Sequence, residues 1–432
     1  MRASEMILYR DFKHEDILTD MAYLASMDVN SGCEECVKDA RSLAYSLAGR
    51  LTSLAENHGY QGNLWHAYLT YLIANNENAF STACEIRGQI PGNINDIALH
   101  DFEIFKEMFE YDIENIDRTF GTACFNILKD YSSAGRDSKM FNKRIRDRIC
   151  ELAQQLAEAK NTDEFASRVV EFYKEFGVGK FGLHKAFRVE HDDDGVKIVP
   201  ITNIAHVYLD DLVGYEIPKK KLIDNTEAFV AGRPANNCLL FGDAGTGKSS
   251  CIKGILNEYY DRGLRIIEIY KHQFKDLNDV IAAIKNRNYR FIIYMDDLSF
   301  EDFEIEYKYL KAVIEGGLEK KPDNILIYAT SNRRHLVRER NSDKADRDDD
   351  LHTNDTVQEK LSLVYRFGVS VFFSRPDKKQ FNNIVETLAS RYGIEMDRDE
   401  LLLEANKWEL SHGGLSGRTA QQFIDYLRGK VD

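Results

Sequence analysis

Gly242, Gly245 and Gly247 are spaced by Asp243, Ala244 and Thr246 and followed at once by Lys248, Ser249 and Ser250. This order completes G-x-x-x-x-G-K-[ST], a loop whose chemistry is phosphate binding. Glycines let the backbone curl so tightly that successive N–H groups point at one anion, and the positive end of the following helix adds to them. Lys248 is placed to reach β- and γ-phosphates, and the Ser249 hydroxyl to ligate magnesium. A plain glycine turn between strand and helix would need neither the lysine nor the serine.

Four further groups suit phosphoryl chemistry. The apolar run 291–295 leads into Asp296-Asp297. A carboxylate there suits magnesium, a hard cation that prefers oxygen ligands and keeps some of its water. Asp296 is therefore the metal ligand opposite Ser249, and Asp297 the group that orients and polarises an attacking water. Glu301 is the alternative base, since aspartate is one methylene shorter than glutamate. A solvated Asp pair capping the next helix is the plain structural reading. After the apolar run 324–329 comes Thr330-Ser331-Asn332, whose Asn332 amide can hold the water or the γ-phosphate from the side. Arg366 precedes the last apolar run, where an arginine supplied across an interface would neutralise transition-state charge; a structural arginine at a turn is the alternative. Gly417-Arg418 opens the final helical pattern, from which Arg418 can reach back to the phosphates and couple the reaction to a moving lid.

These residues need a frame. From 238 onward, near-continuous apolar runs at 264–270, 291–295, 325–329 and 369–373 alternate with helical patterns. Such alternation predicts a parallel sheet covered on both faces, with ligands at the carboxyl ends of its strands. Cys251, Ile252, Ile255, Leu256 and Tyr259 keep helical spacing behind the glycine loop until Gly263. Helical periodicity at 381–392, 401–408 and 419–427 predicts a small lid. Residues 209–215 either pack on a base or join domains. Two short runs, 186–190 and 196–201, flank Asp192-Asp193-Asp194-Gly195 and predict a β-hairpin. Upstream, 14–176 reads as helical, with Val37, Ala40, Leu43, Ala44, Leu47, Leu51 and Leu54 forming one apolar stripe. Trp65, Tyr68, Tyr71, Phe102, Phe105 and Phe109 read as core, not as a ligand cage. The expected division is a helical N-terminal domain over 1–184, a β-hairpin connector over 185–204, an ATPase core over 205–376 and a helical lid over 377–432.

The net charge of −14 argues against a broad basic surface for nucleic acid, leaving only a local patch such as Arg333-Arg334-His335. The acidic residues between 343 and 350 read as solvated surface. Seven scattered cysteines fit reduced thiols in a cytoplasm, and Cys33 and Cys36 read as ordinary helix residues. No apolar stretch approaches the ~20 residues that span a bilayer, and 1–13 lacks a signal core. A soluble cytoplasmic protein is expected.

Together, the glycine loop, the strand-then-acid pair, the Asn, the Arg before the last strand and the Gly-Arg of the lid resemble the AAA+ ATPases. More narrowly, the stretches 296–301, 328–336 and 359–363 are similar to an uncharacterised bacterial AAA+ family, the domain-of-unknown-function 815 family. The resemblance runs from about 205 to 432. It implies ATP and Mg2+ as cofactors, a ring or filament of like subunits, and Arg366 acting on a neighbour's nucleotide. The expected function is an ATPase that drives or times remodelling or assembly of an unknown protein or nucleic-acid partner. A nucleotide-dependent binding switch or loader with little hydrolysis is the first alternative, and a P-loop phosphotransferase the second. No helix-turn-helix follows the lid, which disfavours sequence-specific DNA recognition of the initiator kind.

Overall fold

The computed structural model describes residues 1–27, 34–85, 88, 91–133, 142–192, 195–205, 207–300, 306–315, 322–332 and 363–430. It divides into two compact units, Met1–His184 and Lys185–Asp432.

The first unit is all helical among its described residues: α1 (Glu15–Ser26), α2 (Glu34–His58), α3 (Leu64–Asn75), α4 (Ala79–Cys84), α5 (Ile94–Glu110), α6 (Glu114–Phe120), α7 (Phe125–Lys129), α8 (Lys143–Glu158), α9 (Thr162–Phe176) and α10 (Gly179–Leu183). The stripe on α2 is buried through Ala40, Ala44, Leu47, Leu51 and Leu54, as its spacing predicts. Helix α3 is buried on all sides, and the Asn63 side chain caps its N-terminus by accepting from Trp65 and His66 N–H. Trp65, Tyr68, Phe102 and Phe105 are fully enclosed, so these aromatics are core. Cys36 is disulfide-bonded, a correction to the reduced-thiol expectation at that position. Cys84, Cys124, Cys150, Cys238 and Cys251 are free.

The second unit holds a seven-stranded sheet in the order β2-β1-β4-β5-β6-β3-β7. Its strands are β1 (Ala186–Asp192), β2 (Gly195–Pro200), β3 (Cys238–Gly242), β4 (Leu264–Glu268), β5 (Arg290–Met295), β6 (Ile325–Ser331) and β7 (Val369–Phe373). Among the described residues only β1 and β2 pair antiparallel, and every other pair is parallel. The hairpin forms where it is expected, but it is more than a connector. Strand β1 pairs with β4 through Ala186↔Ile266 to Arg188↔Glu268, extending the sheet. The physical reason is burial: in the sheet Ala186, Phe187 and Val189 lose their apolar surface to the core.

Helices α11 (Glu216–Val230), α12 (Lys248–Tyr259), α13 (Leu277–Ile284) and α14 (Glu306–Glu315) accompany the strands. Last come α15 (Lys378–Arg391), α16 (Arg398–Ser411) and α17 (Gly417–Arg428), packed on a small apolar core of their own that includes Phe381, Val385, Ala405, Ala420 and Ile424. The architecture is the expected α/β one, a largely parallel sheet with a helical lid, preceded by an all-α region. No helix among the described residues is long and apolar enough to cross a membrane.

Candidate active site

Strand β3 lies between β6 and β7, so the loop that follows it opens at the carboxyl ends of three parallel strands. Gly242 adopts a φ of 137°, and a Cβ there would stand 2.0 Å from the Phe373 carbonyl oxygen. Only glycine fits. The loop is then tied to the end of β7: Asp243 N–H donates to Phe373 O at 3.1 Å, and the Asp243 carboxylate accepts from Arg375 N–H at 2.8 Å. Gly247, at a φ of 89°, turns the chain into α12.

Lys248 begins that helix and is nearly enclosed. Its Nζ donates to Gly242 O at 2.9 Å, Asp243 O at 2.6 Å and Asn332 Oδ1 at 3.0 Å. Burial pulls its pKa below the usual lysine value against the carboxylates of Asp243, Asp297 and Asp296, while Arg418 adds to the lowering.

Asp296 sits just past β5. Its Oδ1 accepts from the Ser249 hydroxyl at 2.8 Å, from the Tyr294 hydroxyl at 2.6 Å and from the Thr330 hydroxyl. The protein packed around the carboxyl works to raise its pKa, but the hydrogen bonds from Thr330, Tyr294, Ser249 and the Asp297 backbone outweigh this and hold it below the usual range. An anionic oxygen and a hydroxyl side by side fit a hard divalent cation. Asp297 takes a left-handed backbone at a φ of 49°. Its N–H donates to Thr330 Oγ1 at 2.9 Å, and its Oδ1 accepts from Asn332 Nδ2 at 2.7 Å. Asn332 therefore touches Lys248 with one end of its amide and Asp297 with the other.

These groups line one cavity of about 960 Å³, together with Ala244–Ser250 of the loop, Gly417 and Arg418 of the lid and an apolar wall of Leu212, Val213, Ile384 and Leu388. Arg418 N–H donates to Gly245 O at 3.2 Å, and a Cβ on Gly245 would come within 3.0 Å of Ser416 Oγ. The lid thus rests on the glycine loop. A second tie is Arg391, whose guanidinium donates to Asp211 O at 2.8 Å and Asp210 O at 2.6 Å.

Gly242–Ser250, Asp296, Asp297, Asn332 and Arg418 come together in this region. Arg366 does not. It precedes β7, while the cavity lies past that strand's end; five strand residues at about 3.3 Å each put roughly 16 Å of sheet between them. Glu301 and Arg333-Arg334-His335 lie outside the described residues. Sequence reasoning missed Tyr294, Thr330, Arg391 and the lid wall. The signals were present: Tyr294 and Asp296 share a face by the two-residue alternation of a strand, and Ile384, Leu388, Arg391 and Tyr392 share one helical face.

A family model described as "Protein of unknown function (DUF815)" matches residues 182–431. The Replication factor C large subunit of Staphylothermus marinus is 35% identical over 76 residues, which is 17% of this chain and 17% of that protein. Among solved structures, the Thermotoga maritima RuvB Holliday junction branch migration motor is similar with a TM-score of 0.37 and 18% identity, covering 51% of this chain and 64% of that one. The chain thus spans less than two thirds of the length of either relative. A point mutant of the same Thermotoga maritima RuvB gives a TM-score of 0.33 at 13% identity over 51% of this chain and 71% of that one.

Proposed function

The chain belongs to the DUF815 family, whose description assigns no reaction, and from its site we propose a Mg-ATP-dependent AAA+ ATPase. In this reading, hydrolysis drives or times the remodelling or assembly of a macromolecular partner, protein or nucleic acid, in the cytoplasm. The observation that carries the proposal is the Asn332 bridge: one amide joins the phosphate-loop lysine at 3.0 Å to the Asp297 carboxylate at 2.7 Å. A charge that grips a phosphate and a carboxylate that can orient water are thereby held in one fixed relation.

The contacts support the following division of roles. N–H groups of Gly242–Ser250 and the α12 N-terminus receive the phosphates, with Lys248 turned towards the β- and γ-groups. Ser249 and Asp296 would hold Mg2+, which would supply charge neutralisation on the phosphate oxygens. Asp297 accepts a proton from the attacking water, and Asn332 keeps that carboxylate aligned. The base of ATP fits against Leu212, Val213, Ile384 and Leu388, with Arg418 reaching the phosphates from the lid.

Arg366 is too far from its own cavity for this chemistry, which supports a role on a neighbouring subunit's nucleotide and a ring or filament of copies. Mixing Arg366→Ala with Lys248→Ala chains tests both halves of the proposal through phosphate release. Each variant alone is expected to be inactive, and the mixture to regain activity, because some interfaces then combine an intact loop with an intact arginine. No recovery at any ratio would contradict the trans arrangement.

A further inference from the structure

Asp296 spends one oxygen on three hydroxyls. Ser249, Tyr294 and Thr330 all donate to Oδ1, and Oδ2 takes no side-chain hydrogen bond among the described residues. Three hydroxyls on a single oxygen fix the rotation of the carboxylate, and no side chain among the described residues competes with a further ligand for its second oxygen. Of the three, Ser249 is itself a proposed magnesium ligand. Tyr294 and Thr330 are buried at 5% and 1% exposure, so neither is free to swing away to solvent.

Thr330 has a second task. Its Oγ1 accepts the Asp297 N–H at 2.9 Å while its proton goes to Asp296. Asp297 needs such a tether, because a non-glycine residue at a φ of 49° is held there only by its surroundings. The adjoining backbone closes the same contact, with Leu298 N–H donating to Thr330 O at 2.7 Å. One hydroxyl thus spans the two acidic groups of the site. Resting on the Mg-ATPase reading above, we infer that Thr330 is its positioning residue: with Tyr294 it orients the Asp296 carboxylate towards the cation, and alone it fixes the backbone that presents Asp297. A valine in its place keeps the shape and loses both hydrogen bonds.

The prediction separates metal from nucleotide. A fluorescent ATP analogue is titrated into the full chain in EDTA and across a magnesium series, for wild type, Thr330→Val, Thr330→Ser and Tyr294→Phe. Thr330→Val is expected to leave affinity in EDTA within about twofold and to raise the magnesium concentration at half-effect about tenfold or more, as loss of an outer partner of a metal ligand does. Thr330→Ser restores the wild-type midpoint, and Tyr294→Phe moves it the same way by less. An unchanged midpoint in Thr330→Val, or an equal loss with and without magnesium, overturns the inference. Should thermal melts show that Thr330→Val does not fold, Tyr294→Phe carries the test, and an unchanged midpoint there counts against it. A wild-type chain that binds the analogue without any response to magnesium overturns the ATPase-site reading instead, and the inference with it.

Discussion

Two aspartates, one in each unit, show how differently the same side chain is used. Asp101 on α5 is fully enclosed, and its two oxygens accept the backbone N–H groups of Ile7, Leu8 and Tyr9 at 2.7 to 3.0 Å. Both oxygens face a strap of the chain's own backbone, so the carboxylate is consumed by structure. Asp296 also gathers donors, but hydroxyls take one oxygen only, and it stands at the edge of an open cavity. An enclosed carboxylate with both oxygens bonded marks a structural acid; one on an open cavity, with a second oxygen that no side chain occupies, marks a chemical one.

Breaking the first aspartate has the largest expected effect. Asp101→Ala removes charge-assisted bonds to three amides and should cost about 3–4 kcal/mol of stability, since each such bond contributes about 1.5–3 kcal/mol before water recovers part of the loss. Denaturant melts measure the loss. ATP affinity of the remaining folded chain should not change, which sharpens the contrast between the units. Lys248→Ala is expected to reverse the pattern: the fold survives, and affinity for Mg-ATP falls about 100-fold, equivalent to about 2.7 kcal/mol, because the buried cation proposed to grip phosphate is lost. Isothermal titration reads that change, and a stability loss as large as that of Asp101→Ala would erase the distinction.

The smallest effect concerns pH. Burial holds His58 and His66 below the usual histidine value, and the His66 Nε2 lies 2.8 Å from Phe109 O. A depressed histidine pKa means that the unfolded chain binds the proton more readily, so the stabilisation is complete above the ordinary value near 6.5 and is lost as pH falls below it. The helical unit should therefore melt a few degrees lower at pH 5.5 than at pH 7.5, at roughly 2–4 °C per kcal/mol for a unit of this size. Asp296 is held low, so its charge persists through the same window. Nucleotide binding should hold where the helical unit softens, as parallel melts with and without ATP would reveal.

Much of this molecule is legible in its sequence. The glycine loop reads directly because its residues are contiguous and their chemistry is local; the strand-then-acid order at 291–297 and the Asn after β6 read because parallel sheets bring strand ends together. What stayed hidden depends on pairing between distant segments. Alternation identified the hairpin at 186–201 as strands but could not say that β1 would continue the sheet beside β4. Helical spacing made 381–392 a packed helix, yet only the fold turns Ile384 and Leu388 towards the cavity wall. In the sequence Thr330 only follows the apolar run 324–329, and its bridge between two aspartates exists only once β5 and β6 lie side by side.

In the proposed reaction Asp297 acts on water at this cavity. Steady-state phosphate release from Mg-ATP by wild type and Asp297→Asn, with binding of the nucleotide measured alongside, is the test of that role. The Asn332 contact survives such a change of shape, so binding should persist while release falls at least about 100-fold, the usual scale for a lost general base. Equal release from both chains would contradict the claim and leave the cavity a nucleotide-binding switch.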